Sequence, residues 1–258
     1  MTERKISPAL YLLPIGLSDA PPFKVIPEYN IQVMKEIRHF VVENVRTARR
    51  WIKRCCPEFN IDGTEFTELN TRTPASDVAR MLDPLRQGNP IGVMSEAGCP
   101  AVADPGADIV AIAQKEGLKV VPLVGPSSIL LGLMGSGFNG QSFCFHGYLP
   151  IDDADRRRQL IKLETESERE NRTQIFIETP YRNNRLIPMM AETLRPDTAM
   201  CVACNLTDEG KELIITKTAA EWRMNEHDYS KLPAIFLIYR GLKKEGLIYS
   251  TKSKGKRR

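Results

Sequence analysis

Three carboxylates in this chain each follow a short apolar run that reads as a β-strand. Glu43 follows Phe40-Val41-Val42, Glu96 follows Ile91 to Met94 and Ser95, and Glu178 follows Thr173 to Ile177. In an α/β protein the carboxyl end of a strand is where ligands bind, and a carboxylate there can take a proton from a hydroxyl or orient a nucleophile. Arg46 and Arg182 stand a few residues beyond two of these acids. A planar guanidinium suits them to hold phosphate or carboxylate. The same acids also fit plain helix-start or loop positions, so at this level they are candidates only.

Glu96 belongs to the stretch Ser95-Glu96-Ala97-Gly98-Cys99-Pro100-Ala101-Val102-Ala103-Asp104-Pro105-Gly106, which joins a strand to a helical pattern starting near Ala107. Its glycines and prolines imply a backbone held in fixed turns, open at Gly98 for a ligand to lie against main chain. Two other strand ends share this character. Pro14-Ile15-Gly16 opens a long polar connection, and long connections without structure of their own are usually functional. Gly125-Pro126-Ser127-Ser128 brings hydroxyls and free backbone N–H groups to a helix start. No G-x-G-x-x-G follows a strand, which argues against a nicotinamide enzyme. Of the six cysteines, Cys201 and Cys204 have metal or redox spacing, but they fall inside a β-like run and read as buried thiols. His146 reads as a hydrogen-bonded structural histidine.

The elements that would position these residues alternate. Strands are expected at Leu10 to Leu13, Phe40 to Val42, Thr64 to Leu69, Ile91 to Met94 and Leu118 to Val124. Helices are expected from about Asn30 to His39, Val45 to Cys56, Ala75 to Gln87, Ala107 to Glu116 and Ile129 to Met134. Such alternation calls for a mainly parallel five-stranded sheet. The run Gly135 to Gly140 reads as a linker. Beyond it, strands at Phe143 to His146, Thr173 to Ile177, Ala199 to Ala203, Glu212 to Thr216 and Ala234 to Tyr239 suggest a second α/β domain with a mixed sheet. Its helices are expected through about Glu170, over Asn183 to Leu194 and around Ala219 to Met224. At 258 residues the chain is comfortable for two cores. The expected domains are 1–140 and 141–242, followed by a basic tail over 243–258.

Hydrophobic content of 42% and charged content of 26% are ordinary for a globular protein. No apolar run approaches the roughly 20 residues of a spanning helix, and no signal peptide is read at the start, so a cytoplasmic protein without a membrane partner is expected. The net charge is +4, unevenly placed. At about 100° per residue, Arg46, Arg49, Arg50, Lys53 and Arg54 share one helix arc of roughly 140°, opposite Ala48, Trp51, Ile52, Cys55 and Cys56. Five cations without an acid repel one another, and a polyanion relieves that cost; a plain solvated face is the other reading. The tail, with Lys252, Lys254, Lys256, Arg257 and Arg258, suits either phosphate attraction or solubility.

Leu10-Tyr11-Leu12-Leu13-Pro14-Ile15-Gly16, the Ser-Glu-Ala-Gly-x-Pro-x5-Pro-Gly loop and Val121-Pro122-Leu123-Val124-Gly125-Pro126-Ser127 together resemble the tetrapyrrole methylase superfamily. The nearest branch is the one that methylates a ribose 2′-hydroxyl of a cytidine in small-subunit ribosomal RNA. Two further matches are Gly137-Phe138 with Phe143 to Pro150, and Glu178-Thr179-Pro180-Tyr181-Arg182 against the branch's Glu-Ser-Pro-His-Arg. The resemblance spans about residues 9 to 240. Departures occur at Glu43-Asn44-Val45-Arg46, where the branch typically reads Glu-Asp-Thr-Arg, and at Asn70-Thr71-Arg72-Thr73, where it has His-Glu-His-Asn. Cys204-Asn205-Leu206-Thr207 replaces Arg-Glu-Leu-Thr, and Leu232-Pro233-Ala234-Ile235 is closer to the wider tetrapyrrole-methylating families.

The resemblance implies S-adenosylmethionine bound in a cleft between two α/β domains of a homodimer, with no metal. It implies that Pro14, Gly16, Glu96, Ala97, Gly98, Pro100, Ser127 and Ser128 touch the cofactor from the first domain, and Thr179, Leu206, Thr207, Pro233 and Ala234 from the second. Glu43, Arg46, Glu178 and Arg182 are left as the expected catalytic set, and ribosomal RNA as the expected partner. A tetrapyrrole or protein substrate, or an RNA-binding relative without the chemistry, are the alternatives that the departures leave open.

Overall fold

The structure is a computed structural model that describes residues 6–224 and 226–241; the expected basic tail lies outside the described residues. The chain divides into two compact units between Ser127 and Ser128. The first contains β1 (Leu10–Leu12), α1 (Pro22–Val25), α2 (Glu28–Glu36), β2 (His39–Val42), α3 (Val45–Cys55), β3 (Glu65–Glu68), α4 (Ala75–Arg80), α5 (Asp83–Arg86), β4 (Ile91–Met94), α6 (Gly106–Lys115) and β5 (Val120–Pro122). Its sheet runs in the order β3-β2-β4-β1-β5, and every pair is parallel. The central strands are buried along their whole length, as a sheet covered on both faces requires. One face packs Val33 and Met34 of α2 and Ile37 just after it with Ala48, Trp51 and Ile52 of α3. The other packs Val78, Leu82, Leu85, Ile109 and Ala113.

Two local differences from the sequence reading have plain causes. The single helix expected over Ala75 to Gln87 is broken into α4 and α5, because Pro84 has no N–H to continue the ladder. The polar stretch before Pro27 holds the one-turn α1, with Pro22 at its first position, where a missing N–H costs nothing.

The second unit contains α7 (Ser128–Ser136), β6 (Phe143–Tyr148), α8 (Asp153–Glu170), β7 (Thr173–Ile177), α9 (Asn183–Thr193), β8 (Ala199–Cys204), β9 (Leu213–Thr218), α10 (Ala219–Trp222) and β10 (Ala234–Tyr239). Its sheet, β6-β7-β10-β8-β9, is mixed. β6 and β7 are parallel, while β10 runs antiparallel to β7 and β8, and β9 antiparallel to β8. The side of the sheet carrying Phe236, Ile238, Met200 and Val202 packs against Leu160, Leu163, Leu186 and Trp222 from the helices.

On the other side lies α7, and this moves the division of the chain away from Gly135 to Gly140. A Cβ on Gly132 would stand 2.8 Å from Ile235, and one on Gly135 2.6 Å from Ile214. Those glycines let the α7 backbone sit directly on the second sheet, so the helix expected to end the first domain belongs to the second unit. Among the described residues, no helix is long and apolar enough to cross a membrane.

Candidate functional site

In the first unit the exits of β1, β4 and β5 are interlocked. The Ile15 N–H donates to the Gly98 carbonyl at 3.0 Å, an isolated antiparallel bridge between two loops. Gly98 has φ +72°, and a Cβ there would meet Leu17 at 3.2 Å and the Pro126 carbonyl at 3.4 Å. A Cβ on Gly125 would stand 2.1 Å from that of Pro14. The Cys99 thiol donates to the Pro126 carbonyl at 3.4 Å. Pro14, Gly16, Glu96, Ala97, Gly98, Pro100 and Ser127 are therefore brought into one cluster at the carboxyl ends of parallel strands. The loop beyond Pro100 holds Ala101 at φ 66° and Ala103 at φ 61°, left-handed conformations that alanine adopts only when its surroundings impose them. Asp104 closes the loop by accepting the Gly106 N–H at 2.6 Å.

Glu43, at the end of β2, joins this cluster by accepting the Glu96 N–H at 3.0 Å. Burial pushes its carboxyl above the usual range, the Glu96 N–H pulls the other way, and the nearby carboxylates of Glu96 and Asp104 raise it further. Asn44 caps α3 by accepting the Thr47 N–H at 3.0 Å, the task an aspartate at that position would also do. Arg46 follows in the first helical turn, exposed.

The basic arc of α3 is not uniform. Ala48, Trp51 and Ile52 are buried as expected. Arg54, however, is drawn in, donating to the Asp19 carbonyl at 2.7 Å and the Ala20 carbonyl at 3.0 Å, and it pairs with the Asp19 carboxylate at 3.2 Å. It braces the loop after β1 instead of facing solvent with its neighbours. Arg49 covers the Phe66 ring at 5.0 Å.

The second unit gathers its own set. Because β10 is antiparallel to both neighbours, its start lies beside the ends of β7 and β8: Ile235 opposes Ile177 and Ala234 opposes Cys204. Thr179, Leu206, Thr207, Pro233 and Ala234 thus fall at one end of one sheet, and the Asn205 N–H donates to the Pro233 carbonyl at 3.0 Å. Thr207 has φ 70°, an outlier for a β-branched residue; its N–H donates to Glu212 at 2.7 Å. Ser128 opens α7.

Glu178 behaves unlike Glu43. It is buried and accepts from the Thr179 N–H at 2.7 Å. It also lies between two guanidinium groups, Arg182 at 3.4 Å and Arg156 at 3.6 Å. Arg156 is itself fully buried, and donates to the Pro150 and Ile151 carbonyls. His146 shares a 2.6 Å hydrogen bond with Gln174. Cys201 and Cys204 are buried, and burial pushes their thiols up to about 11 and about 12.

Sequence reasoning missed one feature. A pocket of about 260 Å³ is bounded by Ile15 to Asp19, Thr47, Arg50, Trp51, Arg54, Glu96 and Ala97. Trp51 had been legible only as part of the buried face of α3. The signal for its second role, a position beside Gly16, depends on a contact made across the fold.

No model of a known protein family matches the chain. Among solved structures, diphthine synthase superposes with a TM-score of 0.63 at 14% identity, covering 90% of this chain and 89% of that one. The methyltransferase CobJ superposes at 0.60 and 13% identity, covering 90% and 93%. These likenesses carry the fold alone. With the sequence relatives added, the chain belongs to the tetrapyrrole methylase superfamily of methyltransferases. Those relatives are proteins named ribosomal RNA small subunit methyltransferase I. The one from Vibrio cholerae is 29% identical over 211 residues, 80% of this chain and 69% of that protein. The one from Bacillus subtilis is 30% identical over 207 residues, 80% and 66%. The one from Halalkalibacterium halodurans is 31% identical over 182 residues, 70% and 58%. The matched residues therefore span from 58% to 69% of these three relatives' lengths.

The two acids are expected to separate on mutation. A carboxyl whose folded pKa is raised favours its protonated form in the fold, so stability falls as pH climbs from the unfolded value through the folded one, and the cost persists above it. Glu43→Gln removes that cost and should keep or raise the Tm at pH 7. Glu178→Gln leaves the buried Arg156 with Asp153 as its remaining carboxylate partner and should lose on the order of 2 kcal/mol in denaturant unfolding. Equal losses in both variants would contradict the assignment.

Proposed function

We propose that the chain transfers the methyl group of S-adenosylmethionine to RNA of the small ribosomal subunit, with a ribose 2′-hydroxyl as the acceptor. The observation that carries this reading is the similarity to proteins named ribosomal RNA small subunit methyltransferase I across as much as 80% of the chain. The strand ends of the first unit fit the cofactor. At Gly98 the positive φ and the absence of a side chain let the loop close against Leu17 and the Pro126 carbonyl, which brings the three strand ends together. When bound, S-adenosylmethionine supplies a methyl group made electrophilic by its sulfonium. Pro14, Gly16, Glu96, Ala97, Gly98, Pro100 and Ser127 would hold it, and the same role is proposed for Ser128, Thr179, Leu206, Thr207, Pro233 and Ala234.

The protein's remaining work is to align the acceptor oxygen and take its proton. For this we assign Glu43. Its Oε2 is fixed by the Glu96 N–H, which leaves Oε1 to receive the proton. The raised pKa brings this base closer to the pH at which it works, so turnover should fall as pH drops through that value. Arg46, two residues beyond the Asn44 cap in the first turn of α3, would hold a phosphate beside the acceptor. Glu178 and Arg182 take a supporting role, as a paired carboxylate and guanidinium that keep the end of β7 in place. Asn44 keeps the cap that an aspartate would also supply, so this departure does not count against activity.

A homodimer and a cytoplasmic location belong to the same reading. Leu130 and Met134, one turn apart on α7 and exposed at 51% and 78%, support a self-association that light scattering would detect.

The deciding experiment is mass spectrometry of small-subunit ribosomal RNA nucleosides from cells with and without the gene. One 2′-O-methylated nucleoside should disappear with the gene, and an unchanged spectrum would reject the reading. Binding should also depend on salt through Arg46, Arg49 and Lys53. Each phosphate contact contributes about 0.7 to the slope for single strands, so their joint replacement by Gln should flatten it by about two units. Arg54→Gln should leave the slope alone, since that side chain is spent on Asp19 and Ala20.

A further inference from the structure

The pocket beside Gly16 has a composition that selects among ligands. It is about 260 Å³, somewhat below the roughly 300–1,000 Å³ range of small-molecule sites, and too small for a macrocycle. Two guanidinium groups and two carboxylates line it: Arg50, Arg54, Asp19 and Glu96. Arg54 and Asp19 satisfy each other at 3.2 Å, so what remains for a ligand is one cation, Arg50, and one anion, Glu96. Arg50 has no ion pair among the described residues. Trp51 lines the same pocket and is 4% exposed, with the carbon edge of its ring beside Gly16.

A phosphate would be drawn to Arg50 but repelled by Glu96. A neutral heterocycle that carries both acceptors and an amino group meets no such conflict. Its carbonyl or ring nitrogen can accept from Arg50, its amino group can donate to the Glu96 carboxylate, and its flat ring can pack on the carbon edge of Trp51. The planar guanidinium of Arg50 can also stack on a flat ring.

We infer that this pocket receives a nucleobase bearing an exocyclic amino group, displaced from the RNA strand beside the methylated nucleotide. The inference rests on the RNA-methylating reading for the origin of the base. The pocket shares Gly16, Glu96 and Ala97 with the strand ends assigned to the cofactor, which sets base and methyl donor side by side. Unstacked bases are what proteins read in single-stranded RNA, and Arg50 and Glu96 then set which base is accepted.

The test titrates the full-length protein with the four nucleoside 5′-monophosphates and with ribose 5-phosphate. Saturating S-adenosylhomocysteine is present throughout, so that the cofactor's own site is filled. Binding is followed by calorimetry and by tryptophan emission, Trp51 being one of only two tryptophans. At least one amino-bearing nucleotide should bind ten-fold or more tighter than ribose 5-phosphate and change the emission. Arg50→Ala and Trp51→Phe should each weaken that nucleotide about five-fold or more and leave ribose 5-phosphate unaffected. Thermal unfolding of both variants confirms that the fold is kept.

Equal affinity for ribose 5-phosphate, or an equal loss of both ligands in Arg50→Ala, would mark a phosphate site and overturn the inference. So would uridine monophosphate binding as tightly as the amino-bearing nucleotides, or no saturation by any nucleotide at 10 mM. Loss of all nucleotide binding under S-adenosylhomocysteine would assign the pocket to the cofactor, which also overturns it. Each of these leaves methyl transfer standing, because that is judged on ribosomal RNA nucleosides from cells. Base-dependent binding in a chain that leaves ribosomal RNA unmethylated would instead reject the methyltransferase reading.

Discussion

One backbone hydrogen bond, from the Ile15 N–H to the Gly98 carbonyl, ties the exit of β1 to the exit of β4. Parallel strands deliver their carboxyl ends to the same edge of a sheet, but the ladder between β1 and β4 ends where the Leu13 N–H donates to the Val93 carbonyl, short of the loops themselves. The bridge supplies that link, and it dictates much around it. Gly98 must take a positive φ with no side chain, Gly125 must lie flat against Pro14, and Trp51 must approach Gly16 closely enough that a Cβ there would touch its ring at 3.0 Å. The cluster is a consequence of three loops forced into contact by small residues, with the Glu43 and Glu96 side chains at its margin.

The electrostatics follow from how deeply each charge is set. Glu43 is half-buried and faces other carboxylates, so its proton is held more tightly than usual and it suits the work of a base. Glu178 is deeper and is met by two guanidinium groups, an arrangement that fixes a strand end. On α3 the same contrast recurs. Arg54 is withdrawn to brace the loop after β1, which leaves Arg46, Arg49, Arg50 and Lys53 as the outward cations. The departure at Asn44 loses its force once Asn44 is seen capping the helix that carries them.

Much of this was legible from residue pattern alone. The strands of the first sheet announce themselves as short apolar runs, and parallel pairing follows from their alternation with helices. The mixed second sheet was readable in the same way. What escaped depends on contacts between residues far apart in sequence. Glu43 and Glu178 look alike because each follows a strand, and they are told apart by Arg156, which α8 brings in from 22 residues upstream. The position of α7 was hidden because an apolar helix before a glycine-rich linker fits either side of it; the fit of Gly132 against Ile235 decides the matter. Pro84, by contrast, was a visible signal for breaking the fourth helical pattern, and local chemistry alone accounts for the break.

The claim that the cofactor lies against the Gly98 main chain is tested most directly by calorimetric titration with S-adenosylhomocysteine. The comparison sets the unmutated protein beside Gly98→Val and Gly117→Val. Both glycines have positive φ, +72° and +68°, but nothing lies within 4 Å of a Cβ on Gly117. The two variants therefore carry similar backbone strain, and Gly98→Val adds contacts with Leu17 and the Pro126 carbonyl where the strand ends meet. The account predicts binding to the unmutated protein and to Gly117→Val, and its loss in folded Gly98→Val. Undiminished binding to Gly98→Val, or no binding to the unmutated protein at millimolar ligand, would contradict it.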